Sequence, residues 1–326
     1  MVSNRRKPIM WGIIGPGKIA NNFVSAFSAV NDGCVYAVAS RSRSRSQKFA
    51  QQHNIPVCYD NYEQLLQDNE VDIVYISTPN HTHYQLSKLA LENGKSVLCE
   101  KPLTMTYVQS KTLFELAKQK NLLLVEGLWT RFLPAWQWVK KAVVNGEIGI
   151  VTRLDSTFGF TAPKDENSRL LDPVLGGGAI YDIGIYCISL TDYLLDRAPT
   201  TMKASITKAS TGVDFSCDAE LDFGGVVSTF TCSFECDLPN TFTIIGSRGS
   251  ILIESNFWQA TAVSVSVDNH RSARYEFPLK HNGFEYEISE INTNLLEASV
   301  KSRTNSDCAT LRCIKVIEKL LTMAPK

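Results

Sequence analysis

Over roughly the first third of the chain, apolar positions fall in short unbroken runs separated by stretches with helical spacing. Residues 10–14 form one run, residues 18–28 carry apolar side chains three and four apart, and residues 35–39 form the next run. Short unbroken runs read as strands buried on both faces, and the 3.6-residue period reads as amphipathic helix. The same alternation predicts helices over 45–53, 62–67, 83–93, 106–119 and 134–145, with strands over 71–77, 96–99 and 122–126. Parallel strands need crossovers of this length, so the pattern predicts an α/β Rossmann domain, a doubly wound parallel sheet covered on both sides.

Past residues 146–149 the period drops to two. Strands are expected over 151–160, 201–209, 214–222, 226–235, 241–246, 250–254, 262–267 and 274–277, with Gly224-Gly225 and Ser247-Arg248-Gly249 as hairpin turns. Helices are expected near 178–195, 284–300 and 310–321. This predicts a following α+β domain with a large, mostly antiparallel sheet. The division expected is residues 1–128 for dinucleotide binding and 129–326 for substrate binding and dimerisation, and 326 residues suffice for two cores. Strands at 214–254, rich in Thr, Phe and Val, are expected to pack on a second copy, giving a homodimer.

Composition narrows the partners. Thirty-three basic and 33 acidic residues cancel, so no global field draws nucleic acid or an anionic membrane. Arg5-Arg6-Lys7 reads as a solvated tail, with targeting or anion binding as the competing reading. No apolar stretch approaches the roughly 18 residues of a membrane span, and no signal-peptide pattern opens the chain. The nine cysteines lack C-x-x-C spacing and read as free, mostly buried thiols in a reducing compartment, which predicts a cytoplasmic protein. Cys232 and Cys236, four apart in a β-rich stretch, make a poor ligand pair, and no metal is expected.

Candidate chemistry begins at Gly12-x-x-Gly15-x-Gly17-x-x-Ala20, placed where the first strand becomes the first helix. Gly15 permits the tight turn, Gly17 lets backbone approach a pyrophosphate, and the helix start at Lys18 and Ile19 offers amides to it. The second strand ends in Ser40-Arg41 with Arg45 beyond, where an NAD-preferring site normally carries an acid. Arg41 and Arg45 therefore favour NADP(H), with NAD(H) admissible at lower affinity; a solvated basic helix start competes. Thr78, Pro79, Asn80 and His83, then Glu100 and Lys101, follow strands at the ligand edge of the sheet and are expected to line the cofactor. His81 and His83 lack a carboxylate partner in sequence, so cofactor-loop contacts or a helix start explain them better than a metal. Lys101 is a candidate cation for polarising a substrate oxygen, against the reading of a solvated loop lysine. Gly176-Gly177-Gly178 leads into a predicted helix with Asp182 and Tyr186 four apart on one face, a candidate proton-transfer pair; a packed structural tyrosine is the alternative. Arg131, Lys164, Asp165 and Arg169 are candidates for recognising hydroxyls or charge, against the reading of surface residues.

The Gly-rich turn, Glu100-Lys101-Pro102 and the glycines leading to Asp182 together resemble the glucose-fructose oxidoreductase / inositol dehydrogenase (Gfo/Idh/MocA) family along nearly the whole chain. That resemblance implies catalytic roles for Lys101 and Asp182 and a further residue four beyond it. Histidine usually stands there, and this chain has Tyr186. With residues 126–132 and 182–187, the tyrosine resembles the branch of dimeric dihydrodiol dehydrogenases and NADP-dependent D-xylose dehydrogenases. The resemblance implies hydride transfer to or from an aldose or trans-dihydrodiol, with Trp129 and Phe158 lining the substrate cleft, Phe284 beside them, and Arg41 and Arg45 at the 2′-phosphate. A reductase of dicarbonyls or anhydro-sugars needs the same centre, and a non-catalytic NADP sensor is the reading from a different class.

Overall fold

The computed structural model describes residues 7–163, 165, 168–268 and 271–324. Two sheets organise it. The first has six strands, β1 (Ile9–Ile14), β2 (Gly33–Ala39), β3 (Val57–Tyr59), β4 (Ile73–Ile76), β5 (Ser96–Glu100) and β6 (Leu124–Gly127), in the order β3-β2-β1-β4-β5-β6. Every pair is parallel, and the order reverses between β1 and β4, the switch point where open α/β sheets bind ligands. The second has eight, β7 (Val151–Gly159), β8 (Thr201–Lys208), β9 (Asp214–Asp222), β10 (Val227–Ser233), β11 (Phe242–Gly246), β12 (Gly249–Ile253), β13 (Ala262–Val267) and β14 (Arg271–Glu276), in the order β14-β13-β12-β11-β7-β10-β9-β8. Its pairs are antiparallel except β7 with β10. An α/β Rossmann domain followed by an α+β domain is what the hydrophobic pattern predicts.

Nine α-helices accompany the sheets in the described residues: α1 (Lys18–Ser25), α2 (Arg43–His53), α3 (Tyr62–Gln67), α4 (His83–Glu92), α5 (Tyr107–Lys120), α6 (Pro134–Val144), α7 (Ile185–Leu195), α8 (Phe284–Leu296) and α9 (Asp307–Leu321). None in the described residues is long and apolar enough to cross a membrane. β3 has no counterpart in the sequence reading, because three residues are too few to show a period.

The chain forms two compact units, and they do not meet at one cut near residue 128. The first comprises residues up to Leu103, Val108–Trp129 and Lys280–Asp307; the second comprises Thr104–Tyr107, Thr130–Leu279 and the segment from Cys308 onward. Segment 280–307 returns to the first unit because α8 covers an aromatic face of its sheet. Trp11 Nε1 donates to Asn292 Oδ1 at 2.9 Å, and Asn292 Nδ2 donates to Asp32 at 2.8 Å. Phe23 stacks on Tyr75 at 3.7 Å and meets Phe284 edge-on at 5.8 Å. The opposite face packs Ile14, Val74, Ile76 and Val97 against Leu65, Leu91 and Leu113 of α3, α4 and α5.

In the second unit the inward row of the sheet includes Leu154, Phe230, Phe242, Ile244, Ile251 and Val263, all buried. Phe230 and Phe242, in strands expected to meet a second copy, thus point into the core. The outward row is polar: Asp155 accepts from Thr229 and Arg153, Asp218 from Thr231, and Glu220 from Lys203. α7 is apolar nearly all round and correspondingly buried. Fully burying a side chain such as Phe242 stabilises by about 1.5–3 kcal/mol.

Candidate functional site

In the first unit the glycine turn has the expected construction. Gly15 adopts φ +93°, and a Cβ there would lie 2.7 Å from Thr78 Cγ2. Gly17 is exposed with nothing closer than 3.9 Å to such a Cβ, leaving backbone open to a ligand at the head of α1, beside Lys18 and Ile19. These features fit a pyrophosphate held on helix-terminal amides. Gly12 lies within β1, where a Cβ would come 2.8 Å from Leu65, so its smallness serves packing against α3. Arg41 and Arg45 are exposed around the start of α2, and Ser40 is buried beneath with its hydroxyl accepting from the Ser42 amide at 3.2 Å.

Three loops at this edge are tied together. Ser77 Oγ donates to the Gly15 carbonyl at 2.9 Å, and Thr78 and Thr82 share a 2.6 Å hydroxyl bond beside Pro79 and Asn80. His83, expected to touch cofactor, is fully buried instead. Its ring nitrogens lie 2.8 Å from the carbonyls of Pro102 and Thr78, so it joins the loop after β4 to the loop after β5. Burial pushes its pKa below the usual histidine value, against the opposing pull of those carbonyls.

Glu100 ends β5. Tyr75 donates to its Oε1 at 2.6 Å, and the Lys101 amide donates to Oε2 at 3.3 Å, so the carboxylate shapes the loop that presents partly buried Lys101. Burial and the Glu100 charge push the Tyr75 hydroxyl well above the ordinary tyrosine value. The Lys101-Pro102 bond is cis. Trp129 also belongs to this unit and stacks on Phe284 at 5.0 Å.

In the second unit, the turn bearing Asp182 is wider than expected: Ile180–Gly184 is π-helical before α7 continues through Tyr186. Such wide turns recur at functional sites. Asp214 of β9 anchors its start, accepting from the Ile180 amide at 2.6 Å, and burial raises its pKa against that hydrogen bond. A Cβ at Gly178 would collide with Asp214 Oδ1, which explains a glycine there. Asp182 Oδ1 accepts from Arg169 Nη1 at 3.2 Å. Tyr186 lies in α7 with its ring 5.7 Å from that of Phe158. Trp258, which the sequence reading missed, stacks on Phe158 at 3.7 Å and 4°. The half-buried indole covers one face of Phe158, and Thr130 Oγ1 pins its carbonyl at 2.7 Å. An isolated Phe257-Trp258 pair after a strand carries no periodic signal.

Arg131 departs from its expected substrate role. Its side chain is 1% exposed, and its Nη2 donates to the Ser189 carbonyl, to Asp192 at 3.3 Å and to Cys313 Sγ at 3.6 Å. Arg312 completes the pairing on Asp192 at 2.6 Å, so Arg131 is committed to holding α7 and α9. Asp165 is exposed; Lys164, Arg5 and Arg6 lie outside the described residues. Among the described residues no cluster of three or more His, Cys, Asp or Glu could hold a metal.

Comparison with known proteins agrees with this construction. Residues 9–128 match the model of the Gfo/Idh/MocA oxidoreductase family with an NAD-binding Rossmann fold, and residues 136–252 match the C-terminal domain model of the same family. A trans-1,2-dihydrobenzene-1,2-diol dehydrogenase of Xenopus laevis is 32% identical over 334 residues, covering 97% of this chain and 99% of its own. The human enzyme of that name is 32% identical over 275 residues, covering 83% and 80%. Among solved structures, a 3-ketoreductase from Actinomadura kijaniata in complex with NADP and TDP-benzene superposes with TM-score 0.86 at 26% identity, covering 98% of each chain. An aldose-aldose oxidoreductase from Caulobacter crescentus shares the fold with TM-score 0.89 at 23% identity, covering 98% of this chain and 97% of its own. The chain belongs to the Gfo/Idh/MocA family of NAD(P)-dependent oxidoreductases.

Proposed function

We propose that the protein is an NADP-dependent oxidoreductase passing hydride between the nicotinamide and a secondary alcohol or carbonyl carbon of an aldose sugar or a trans-dihydrodiol. The observation that carries this reading is the arrangement in the second unit, where Tyr186 stands beside the Phe158–Trp258 stack and follows the π-helical turn of Asp182. The face of the half-buried Trp258 indole turned away from Phe158 suits both the apolar face of a pyranose and the ring of a dihydrodiol. The nicotinamide supplies the hydride acceptor in oxidation and the donor in reduction. Tyr186 takes the hydroxyl proton in oxidation and returns it in reduction, Asp182 orients the carbinol, and Lys101 is the catalytic cation that the family resemblance implies. Exposed Arg41 and Arg45 support NADP(H) over NAD(H) through the 2′-phosphate. The dihydrodiol dehydrogenase relatives favour the diol and the sugar oxidoreductase folds suit the aldose. A cytoplasmic address belongs to the same proposal, supported by nine cysteines that form no disulfide.

The test follows reduced nicotinamide by absorbance, with NADP and NAD in parallel, against D-xylose, D-glucose and a trans-dihydrodiol, and with small dicarbonyls in reverse. Tyr186→Phe should lower turnover by about 100-fold or more while NADPH affinity is retained. Unchanged turnover in that variant removes Tyr186 as the proton-transfer residue. Tight NADP binding with no turnover of any substrate would favour a sensor.

A further inference from the structure

Asp182 has an attachment that the proposed chemistry does not use. Arg169, in the loop between β7 and the π-helical turn, reaches it at 3.2 Å, although the arginine side chain is 61% exposed and the aspartate only 14%. An ion pair this open to water ordinarily contributes about 0–1 kcal/mol, so stability does not account for the contact.

The backbone shows that residues 168–178 are held in place. The Gly178 amide donates to the Leu170 carbonyl at 2.9 Å, and the Gly177 amide donates to the Asp172 carbonyl at 2.9 Å. Gly178 in turn accepts from the Asp182 amide at 3.1 Å. A single glycine thus joins the neighbour of Arg169 to the turn that carries Asp182. The approach requires glycine, since a Cβ at Gly177 would lie 2.6 Å from the Leu170 carbonyl oxygen. Asp172 Oδ1 closes the loop by accepting from the Val174 amide at 2.8 Å. Side-chain entropy, the usual cost of pairing an exposed arginine, is partly offset by a backbone that already delivers it.

We infer that Arg169 is a positioning residue for the reaction, acting through Asp182: its guanidinium fixes one carboxylate oxygen, so that Asp182 meets substrate in one orientation. The inference rests on the reading of Asp182 as the group that orients the carbinol. Orientation of a reacting carbon acts on the chemical step more than on ground-state binding, so the loss should fall on kcat. It follows that a freely diffusing cation of the same shape can replace the side chain, because the site is open to solvent.

The experiment compares Arg169→Ala, Arg169→Lys, Asp182→Asn and the Ala/Asn double variant, with NADP and whichever of D-xylose or the trans-dihydrodiol turns over. Arg169→Ala should lose about tenfold in kcat with KM and NADP affinity changed by no more than about twofold. Arg169→Lys should recover most of the loss, added guanidinium ion should recover part of it in the Ala variant, and the double variant should be no slower than Asp182→Asn. Should Arg169→Ala fold poorly, Arg169→Gln with the same guanidinium titration gives the same readout. Wild-type kcat in the Ala variant, a loss confined to KM, or multiplying losses in the double variant would overturn the inference while leaving the proposed function standing. Wild-type turnover by Asp182→Asn would instead remove the role of Asp182, and this inference with it.

Discussion

Glu100 and Glu287 of the first unit lie close enough for the charge of one to act on the other, yet their surroundings differ. Glu100 accepts from Tyr75 and from the Lys101 amide. Glu287, on α8, is 0% exposed, and neither of its oxygens has a hydrogen-bond partner among the described residues. Burial, then the Glu100 charge, push its pKa well above the usual carboxylate range. In the unfolded chain the same group ionises near its ordinary value. Its contribution to stability is therefore fully present below that value and is lost as pH rises towards the folded-state pKa. Glu287→Gln, which imitates the protonated acid, should raise the melting temperature, with the gap over wild type widening between about pH 5 and about pH 8. Parallel melting curves across that window would show that Glu287 is not held neutral. Sequence could not reveal this residue, since a glutamate in an amphipathic helix reads as solvent-facing. Arg131 was misread for a related reason: its partner Asp192 is 61 residues away, and distance along the chain hides a buried pair.

At the scale of elements, the head of α2 joins cofactor choice to local structure. Ser42 precedes the helix in extended conformation, and the exposed Arg41 and Arg45 flank that start. Arg41→Ala should weaken NADP binding by about 10- to 100-fold, as expected for charge-assisted hydrogen bonds of about 1.5–3 kcal/mol. NAD binding should change by about twofold at most, since NAD lacks the 2′-phosphate. Equal losses for both cofactors in a titration by nicotinamide fluorescence would place Arg41 elsewhere on the dinucleotide. Elements with strong periods were legible at this scale: α3 and β9 coincide with the sequence reading to the residue. The π-helical turn was not, because an extra residue in one turn leaves no mark in a hydrophobic pattern. The parallel pairing of β7 with β10 was equally hidden, since hairpin signals report only on neighbours in sequence.

For the whole molecule, the eight-stranded sheet presents one packed face and one polar face. The polar face carries both signs of charge, with Arg153, Lys203 and Arg274 among Asp155, Asp218, Glu220 and Glu254. We propose that a second copy covers it, because an isologous contact matches a surface with itself and a face of mixed charge can meet its own image without net repulsion. Light scattering should then return twice the 36.3 kDa chain mass, and Lys203→Glu with Arg153→Glu should shift it towards one chain. A monomer at every concentration would remove the proposal. The two-unit organisation was legible in the change of period near residue 150, but not the return of the chain to its first sheet. A helical period shows that one face of α8 is apolar without showing which surface it will cover.

That return has a consequence for biosynthesis. The strands of the six-stranded sheet are made first, yet Asn292, which binds Trp11, and Asn305, which binds the Glu126 carbonyl, are made after every strand of the other sheet. During vectorial synthesis the later sheet can close while the earlier one still exposes Trp11, Phe23 and Tyr75. The nascent dinucleotide half is therefore the part of this chain that most needs shielding from aggregation before its last helix arrives.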